Sequence, residues 1–179
     1  MLTAMGTRYP ALHRIIGVTL AAVLLAGSLV AATPSVVDAS TYRTVASLTG
    51  PTRVDRIVIS RVRIDLPIRH GVIGATVRER IAYHYPGTSW PGGDSNTYLY
   101  GHARVGSLIN LKYMRTGDIV KLHLVGGGWV RYRVTSVQRV RWNDGRWTLL
   151  TNRERLTLQT CVTYGPTADR LVVVAVPVA

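Results

Sequence analysis

The sequence predicts a mainly β domain, a small closed barrel or sandwich, that follows an N-terminal membrane segment. Short runs of alternating apolar residues recur from residue 56 onward, and glycine-containing turns separate them. Only one short stretch in that region has a helical pattern. The longest apolar run lies near the N-terminus and contains no charged residue. These three observations separate a membrane segment from a β-rich folded part.

The apolar run spans residues 15–37. Its first 18 residues, 15–32, would reach about 27 Å as a helix, close to the apolar thickness of a bilayer. Arg8 and Arg14 precede it, which favours a cytoplasmic N-terminus. A signal peptide cleaved after the small residues at 30–32 is the alternative, and it would export the same domain.

These features divide the chain into four parts. Residues 38–55 are rich in Thr, Ser and Ala and have no sustained period, which is typical of a linker. We expect the exported domain to sit outside the membrane. The expected parts are a cytoplasmic tail at 1–14, a transmembrane signal-anchor at 15–37, the linker at 38–55 and the folded domain at 56–179.

The elements of the domain follow from local patterns. Residues 126–128 are three glycines between two alternating runs and predict a hairpin turn. Pro177 indicates an edge or a strand end. Strands are expected at 57–64 with a continuation through 66–73, and at 96–102, 119–125, 129–140, 154–160 and 170–178, with a short helix at 107–114.

The charge balance bears on possible partners. The chain carries a net charge of +13, and residues 39–179 hold 20 basic and 8 acidic side chains, or +12. Such a surface attracts polyanions. The basic residues are scattered rather than clustered, which favours a solvated surface over nucleic-acid binding. We therefore expect no nucleic-acid partner, although a basic, non-catalytic binding module at the cell surface remains an alternative.

Cys161 is the only cysteine, so the chain cannot form an internal disulfide. Glycine-rich phosphate loops, HExxH zinc motifs and GxSxG elbows are missing, so we expect neither a metal nor a cofactor. Attack on a carbonyl requires a thiolate, and an ordinary thiol has a pKa of about 8.5, so a nucleophilic cysteine needs an imidazole beside it. A small buried hydrophobe is the other role open to Cys161.

Arg170 is a candidate partner because of its position. Cys161 ends one predicted strand, an eight-residue loop follows at 162–169, and Arg170 opens the next strand. If the two strands form a hairpin, both residues lie at the same end of the sheet. The guanidinium could then stabilise the oxyanion that forms beside the sulfur.

Five histidines compete for the role of proton partner. His13 precedes the membrane run, His70 falls in a predicted exposed turn, and His123 alternates within a strand. His84 and His102 both lie in or beside loops. The residues alone do not separate these last two.

Several motifs occur together in the order found in one family. Residues 157–161 (TLQTC) match the TLxTC signature of sortases, 96–102 resemble the strand that ends in their Gly-His, and Arg170 matches the arginine that opens their last strand. Residues 84–92 and 108–118 are similar to family segments as well. The chain thus resembles sortases, most nearly those of classes D to F, over about 57–178.

The resemblance implies a closed eight-stranded barrel with one or two short helices. It implies a catalytic Cys161, His102 and Arg170, which selects His102 over His84. Thr160 and Thr157 become candidates for substrate binding or oxyanion support.

The reaction implied is that of a membrane-anchored, extracellular cysteine transpeptidase. Cys161 would cleave an LPxTG-like sorting signal of a secreted protein and form a thioacyl intermediate. An amine of a peptidoglycan precursor or a pilin would then accept the acyl group. A Cys-His cell-wall endopeptidase, with water as acceptor, is the alternative enzyme.

Overall fold

The computed structural model describes residues 42–179. The tail expected at 1–14, the signal-anchor expected at 15–37 and the first residues of the linker lie outside this range. Among residues 42–179, no helix has the length and apolar character needed to cross a membrane.

Eight strands close into a barrel, which confirms the predicted fold class. Their order around the barrel is β1-β2-β3-β4-β7-β8-β6-β5, and β5 pairs with β1 to complete it. Two pairings are informative for the site: β4 and β7 are parallel neighbours, and β7 and β8 form an antiparallel hairpin. The strands are β1 Val54–Ile59, β2 Ile64–His70, β3 Ala82–His84, β4 Asn96–Tyr100, β5 Ile119–Leu124, β6 Trp129–Val140, β7 Arg155–Cys161 and β8 Arg170–Pro177.

The barrel interior is filled by the alternating apolar residues of these strands. In β5, Val120, Leu122 and Leu124 are buried while the residues between them are partly exposed. Successive strand side chains point to opposite faces, so one face of each strand faces the core. Each such Leu or Val stabilises the fold by roughly 1.5–3 kcal/mol through burial.

The expectation of a strand running through 57–64 is wrong. β1 ends at Ile59, a 3-10 turn occupies Ser60–Val62, and β2 starts at Ile64. Arg63 closes the turn in the left-handed region with φ of 54°. Val62 is buried within the turn, so the apolar pattern continues across it and hides the chain reversal from sequence inspection.

Two further elements differ from the expectation. The predicted helix at 107–114 is a 3-10 helix at Ile109–Tyr113. β3 has only three residues, too few for a recognisable alternation, and it was not expected; His84 is its last residue and lies beside a loop, as expected. Two other 3-10 helices lie at Val45–Ser47 and Gly145–Thr148.

Candidate active site

Cys161 and Arg170 are directly opposite each other in the β7–β8 hairpin. Cys161 is the last residue of β7, Arg170 is the first of β8, and the two are paired in register. Directly opposite residues of an antiparallel pair project to the same side of the sheet. Both side chains therefore begin at the same end of the hairpin and on the same face of the sheet.

His102 reaches the same end of the barrel through the parallel β4–β7 pair. Tyr100 is in register with Gln159, and His102 follows Tyr100 by two residues, as Cys161 follows Gln159. The N–H of Gly101 donates to Gln159 O at 3.2 Å. A Cβ on Gly101 would lie 3.1 Å from both Ile81 O and Leu108 Cδ1, so the close approach of these segments favours glycine before the histidine.

The thiol and the imidazole line one cleft of about 240 Å³. Both residues are half-buried, and the cysteine is not in a disulfide. A larger depression of about 750 Å³ lies on the outer face beside Asp55 and His123, but no thiol faces it. The smaller cleft is therefore the candidate site for nucleophilic chemistry. Its lining is His102, Ala103, Arg104, Cys161, Thr163, Tyr164 and Gly165.

Nε2 of His102 donates a hydrogen bond to the backbone carbonyl of Val77 at 2.9 Å. Because a carbonyl can only accept, Nε2 carries the proton and Nδ1 remains as the basic nitrogen. Among the described residues, no hydrogen bond joins this ring to Sγ. Such catalytic contacts commonly tighten only when substrate binds.

The β2–β3 loop runs along the segment that follows β4. Besides the bond from His102 to Val77, the Glu79 carboxylate pairs with Arg104 at 2.5 Å. The N–H of Arg80 donates to Ser107 Oγ at 2.7 Å. These contacts hold the histidine segment against a loop that begins more than 25 residues earlier.

The guanidinium of Arg170 donates to the carbonyl of Ala168 and, at 3.3 Å, to that of Pro166. It thereby stabilises the loop that follows Cys161. The same side chain lines a second cleft of about 260 Å³. The aromatic residues of that cleft are Tyr85, Tyr98, Tyr100 and Trp142.

Tyr98 forms the buried wall of this second cleft. Burial raises the pKa of its phenol, and the nearby charge of Arg170 opposes that rise. The phenol stays protonated and donates to Gln159 Oε1. The cleft thus presents neutral aromatic surface beside the guanidinium of Arg170 and the carboxylate of Asp144, which pairs with Arg146.

Thr160 and Thr157 are buried, and both hydroxyls bind β4 to β7. Thr160 Oγ1 donates to Gly101 O at 2.9 Å. Thr157 Oγ1 donates to Asn96 Oδ1 at 2.7 Å. In this structure neither residue lines the cleft of the thiol. Their contact with substrate remains a prediction, while their contact with the neighbouring strand is direct.

His84 lies outside that cleft. It is 1% exposed and stacks on Trp90 with ring centroids 3.6 Å apart. Its Nε2 is 2.8 Å from Ser89 O, and its Nδ1 is 3.3 Å from Nδ1 of His70. Burial, the largest effect, lowers the pKa of His84. His123, on the outer face of β5, pairs with Asp55 at 2.7 Å.

Sequence reasoning missed several residues of the site. The Val77 carbonyl has no sequence signal, because any residue supplies a backbone oxygen. Arg104 could have been singled out as a charged residue two positions after His102. The aromatic cleft depends on contacts between distant segments and is not visible in any one motif.

Comparison with known proteins identifies one family. The family model described as Sortase domain matches residues 57–178. A lid mutant of sortase A from Corynebacterium diphtheriae is similar with a TM-score of 0.62 and 26% identity, over 70% of each chain. No protein in the comparison with curated sequences matches.

Sortases of another type are similar to the same extent. Sortase C-1 from Actinomyces oris has a TM-score of 0.62 and 29% identity, over 73% of this chain and 74% of that one. Sortase C1 from Streptococcus agalactiae has a TM-score of 0.61 and 28% identity, over 73% and 69%. The similarity therefore extends to sortases of types A and C, and the predicted class D to F remains a prediction.

Proposed function

Because the chain belongs to the sortase family, we propose that its Cys161 cleaves a sorting-signal peptide and passes the acyl group to an amine. One observation supports this most strongly: Cys161 and His102 line the same cleft. Arg170 is in register with Cys161 but lines the neighbouring cleft, from which its guanidinium would reach the oxyanion. An acyl transfer needs these three functions, namely a nucleophile, a proton carrier and an oxyanion donor.

The first half-reaction forms a thioester. Nδ1 of His102 takes the thiol proton, and Sγ of Cys161 attacks the carbonyl carbon of the peptide's threonine. The tetrahedral oxyanion forms beside the guanidinium of Arg170, which has donors beyond the two that bind its own loop. The C–N bond then breaks, and the imidazolium gives its proton to the leaving amine.

The second half-reaction reverses these roles. The nitrogen of an incoming amine attacks the thioester carbon, and its proton goes to Nδ1 of His102. The C–S bond breaks, an amide forms, and the thiol of Cys161 regains a proton from the imidazolium. Since the acceptor must reach the imidazole, it enters through the cleft that His102 lines.

The sorting signal binds on the other side of the thiol. The aromatic cleft beside Arg170 offers apolar surface for the leucine and proline of an LPxTG-like peptide. Burial of such side chains against Tyr100 and Trp142 would position the threonine carbonyl near Cys161. The clients are secreted proteins, and the catalytic domain acts outside the membrane, held there by the anchor expected at 15–37.

The acceptor amine belongs to a peptidoglycan precursor or a pilin. A similar structure, with 25% identity, is described as sortase C of Streptococcus pneumoniae in connection with pilin substrate specificity. The endopeptidase alternative uses the same Cys161 and His102 with water as acceptor. The two reactions differ only in their product.

Mass spectrometry of the full chain tests the proposal. The enzyme is incubated with a library of LPxTG-like peptides, with and without triglycine. We expect a thioester adduct on Cys161 and an amide product that contains triglycine. Cys161→Ala, with its fold checked by circular dichroism, should give neither product.

Two results would contradict the proposal. Turnover by Cys161→Ala would remove the thiol from the reaction. Hydrolysed peptide without any triglycine product would favour an endopeptidase. Salt-sensitive polyanion binding, together with a thiol that no reagent labels, would instead favour a binding module.

A further inference from the structure

The cleft of the thiol has a cationic wall on its acceptor side. Arg104 is the only residue of its lining that is permanently charged. Its guanidinium lies 5.5 Å from the ring centroid of Tyr164, another lining residue, in a cation–π contact. The two side chains come from opposite walls, one from the segment after β4 and one from the β7–β8 loop. This contact therefore keeps Arg104 at the cleft that Cys161 also lines.

The charges around this wall are mostly positive. Arg78 and Arg80 flank Glu79 in the β2–β3 loop, and within residues 42–179 neither has an ion-pair partner. Glu79 neutralises one arginine, Arg104, and leaves the other two uncompensated. An incoming ammonium group alone would meet a repulsive field at this mouth.

Resting on the proposed function, we propose that the second substrate is an amine that carries a carboxylate close to its nitrogen, and that Arg104 binds this carboxylate. A carboxylate offsets the repulsion that the ammonium group would meet. A guanidinium can bind it through two parallel hydrogen bonds, which also fixes the direction of the amine. The nitrogen is then held on the His102 side of the thioester, where its proton can transfer to Nδ1.

Arg104 must exchange partners for this to occur. Its side chain is 49% exposed and that of Glu79 is 52% exposed. A solvent-exposed ion pair contributes little to stability, so opening it costs little. The contact with Tyr164 keeps the guanidinium at the cleft while its partner changes. Glu79 thus acts as an internal competitor for the substrate carboxylate.

The test measures how the thioacyl enzyme partitions between amine and water. The full chain is acylated with the best peptide of the library, and paired acceptors are added: glycine with glycinamide, and β-alanine with β-alaninamide. The acid-to-amide ratio of transpeptidation is determined for each pair. Comparison between variants cancels the different basicities of the two amines and any change in the acylation rate.

We expect Arg104→Gln to lower the acid-to-amide ratio by about threefold to tenfold, the range for a charge-assisted contact at a half-exposed site. Arg104→Lys should retain part of the preference, because it keeps the charge and loses the fork. Glu79→Gln should raise the ratio, since it removes the competitor. Arg153→Gln, an exposed arginine outside the cleft, makes the same charge change and should leave the ratio as it is.

Each other outcome overturns the inference. If the enzyme acylates but Arg104→Gln lowers transfer to acid and amide equally, Arg104 does not bind a carboxylate. If Arg153→Gln lowers the ratio as much, the effect is general electrostatics rather than this contact. If Glu79→Gln lowers the ratio, there is no exchange of partners. If no peptide acylates the wild-type chain, the proposed function fails and this inference fails with it.

Discussion

The backbone carbonyl of Val77 accepts the Nε2 hydrogen bond of His102 at 2.9 Å. This contact assigns the proton to Nε2 and leaves Nδ1 unprotonated, and no carboxylate within residues 42–179 bonds to the ring. The carbonyl belongs to a loop that is fastened three residues later, where Arg80 N–H binds Ser107 Oγ. The position of the His102 imidazole therefore depends on how well this loop is held.

Ser107→Ala tests that dependence. Ser107 is 4% exposed, and its replacement leaves the Arg80 N–H without its acceptor, at a cost of about 1 kcal/mol in stability. We expect kcat/KM to fall by about threefold to tenfold as the imidazole loses its fixed position. The measurement is peptide cleavage, together with the pH dependence of Cys161 alkylation by iodoacetamide.

Ser60→Ala, in the β1–β2 turn away from the site, is the matched control and should change neither readout. An alkylation profile that is identical in Ser107→Ala and the wild-type chain would show that the loop does not position His102.

Arg170→Lys tests the role of the guanidinium. A lysine keeps the charge but cannot donate to Pro166 and Ala168 while it also reaches an oxyanion. Loss of one oxyanion donor costs about 10²–10³ in kcat, so we expect a fall of about a hundredfold. The control is Arg141→Lys, a change at the exposed arginine that directly follows the last residue of β6. An unchanged rate in Arg170→Lys would remove Arg170 from the mechanism.

The strands with regular alternation were predictable from sequence almost to the residue. The predictions of 119–125 and 129–140 correspond to β5 and β6, because one face of each strand meets the core and the other meets water. β3 was not predictable, since three residues carry no period. Its existence depends on pairing with β2 and β4, from which it is separated by irregular loops.

The site was predictable where local connectivity determines it. Two strands joined by a short loop form a hairpin, so Cys161 and Arg170 could be placed together from their positions alone. The sequence could not decide in this way between His102 and His84 as the proton partner, because the two differ only in their tertiary contacts. Trp90 covers His84, whereas the Val77 carbonyl holds His102 at a cleft, and neither contact has a local sequence pattern.

Thr160→Val and Thr157→Val separate a structural role from a catalytic one. Each change replaces a buried hydroxyl by a group of similar shape and removes one hydrogen bond, for a loss of about 1 kcal/mol. Thr160→Val takes this donor from Gly101 O, whereas Asn96 Oδ1 keeps its bond from Arg155 Nε in Thr157→Val. We expect melting temperatures to fall by roughly 2–5 °C in both, measured by calorimetry. Only Thr160→Val should also reduce kcat, because its hydroxyl binds Gly101, which precedes His102.

The kinetic constants distinguish this from direct substrate contact. A rise in KM with unchanged kcat for Thr160→Val would mean that its hydroxyl binds the peptide in the complex. Equal kcat losses in both variants would mean that the effect comes from general loosening of the β4–β7 pair.

The buried His84 should make stability depend on pH. Burial lowers the pKa of this imidazole from its ordinary 6.5, so the folded state favours the neutral ring. The stability it contributes is present above pH 6.5 and is lost as the pH falls below 6.5 through the lowered pKa. Protonation would place a charge against Trp90 and beside His70, which lies 3.3 Å away, with Arg53 nearby.

We expect the melting temperature of the wild-type chain to drop more between pH 7.5 and pH 5 than that of His84→Gln, by roughly 2–4 °C for each kcal/mol lost. Acidic groups titrate alike in both proteins, so the difference between the two slopes isolates His84. His123→Gln removes a histidine that is paired on the outer face and serves as the matched control. Parallel slopes for the wild-type chain and His84→Gln would show that the buried imidazole accommodates its proton without loss of stability, and that the Trp90 stack does not exclude the charged form.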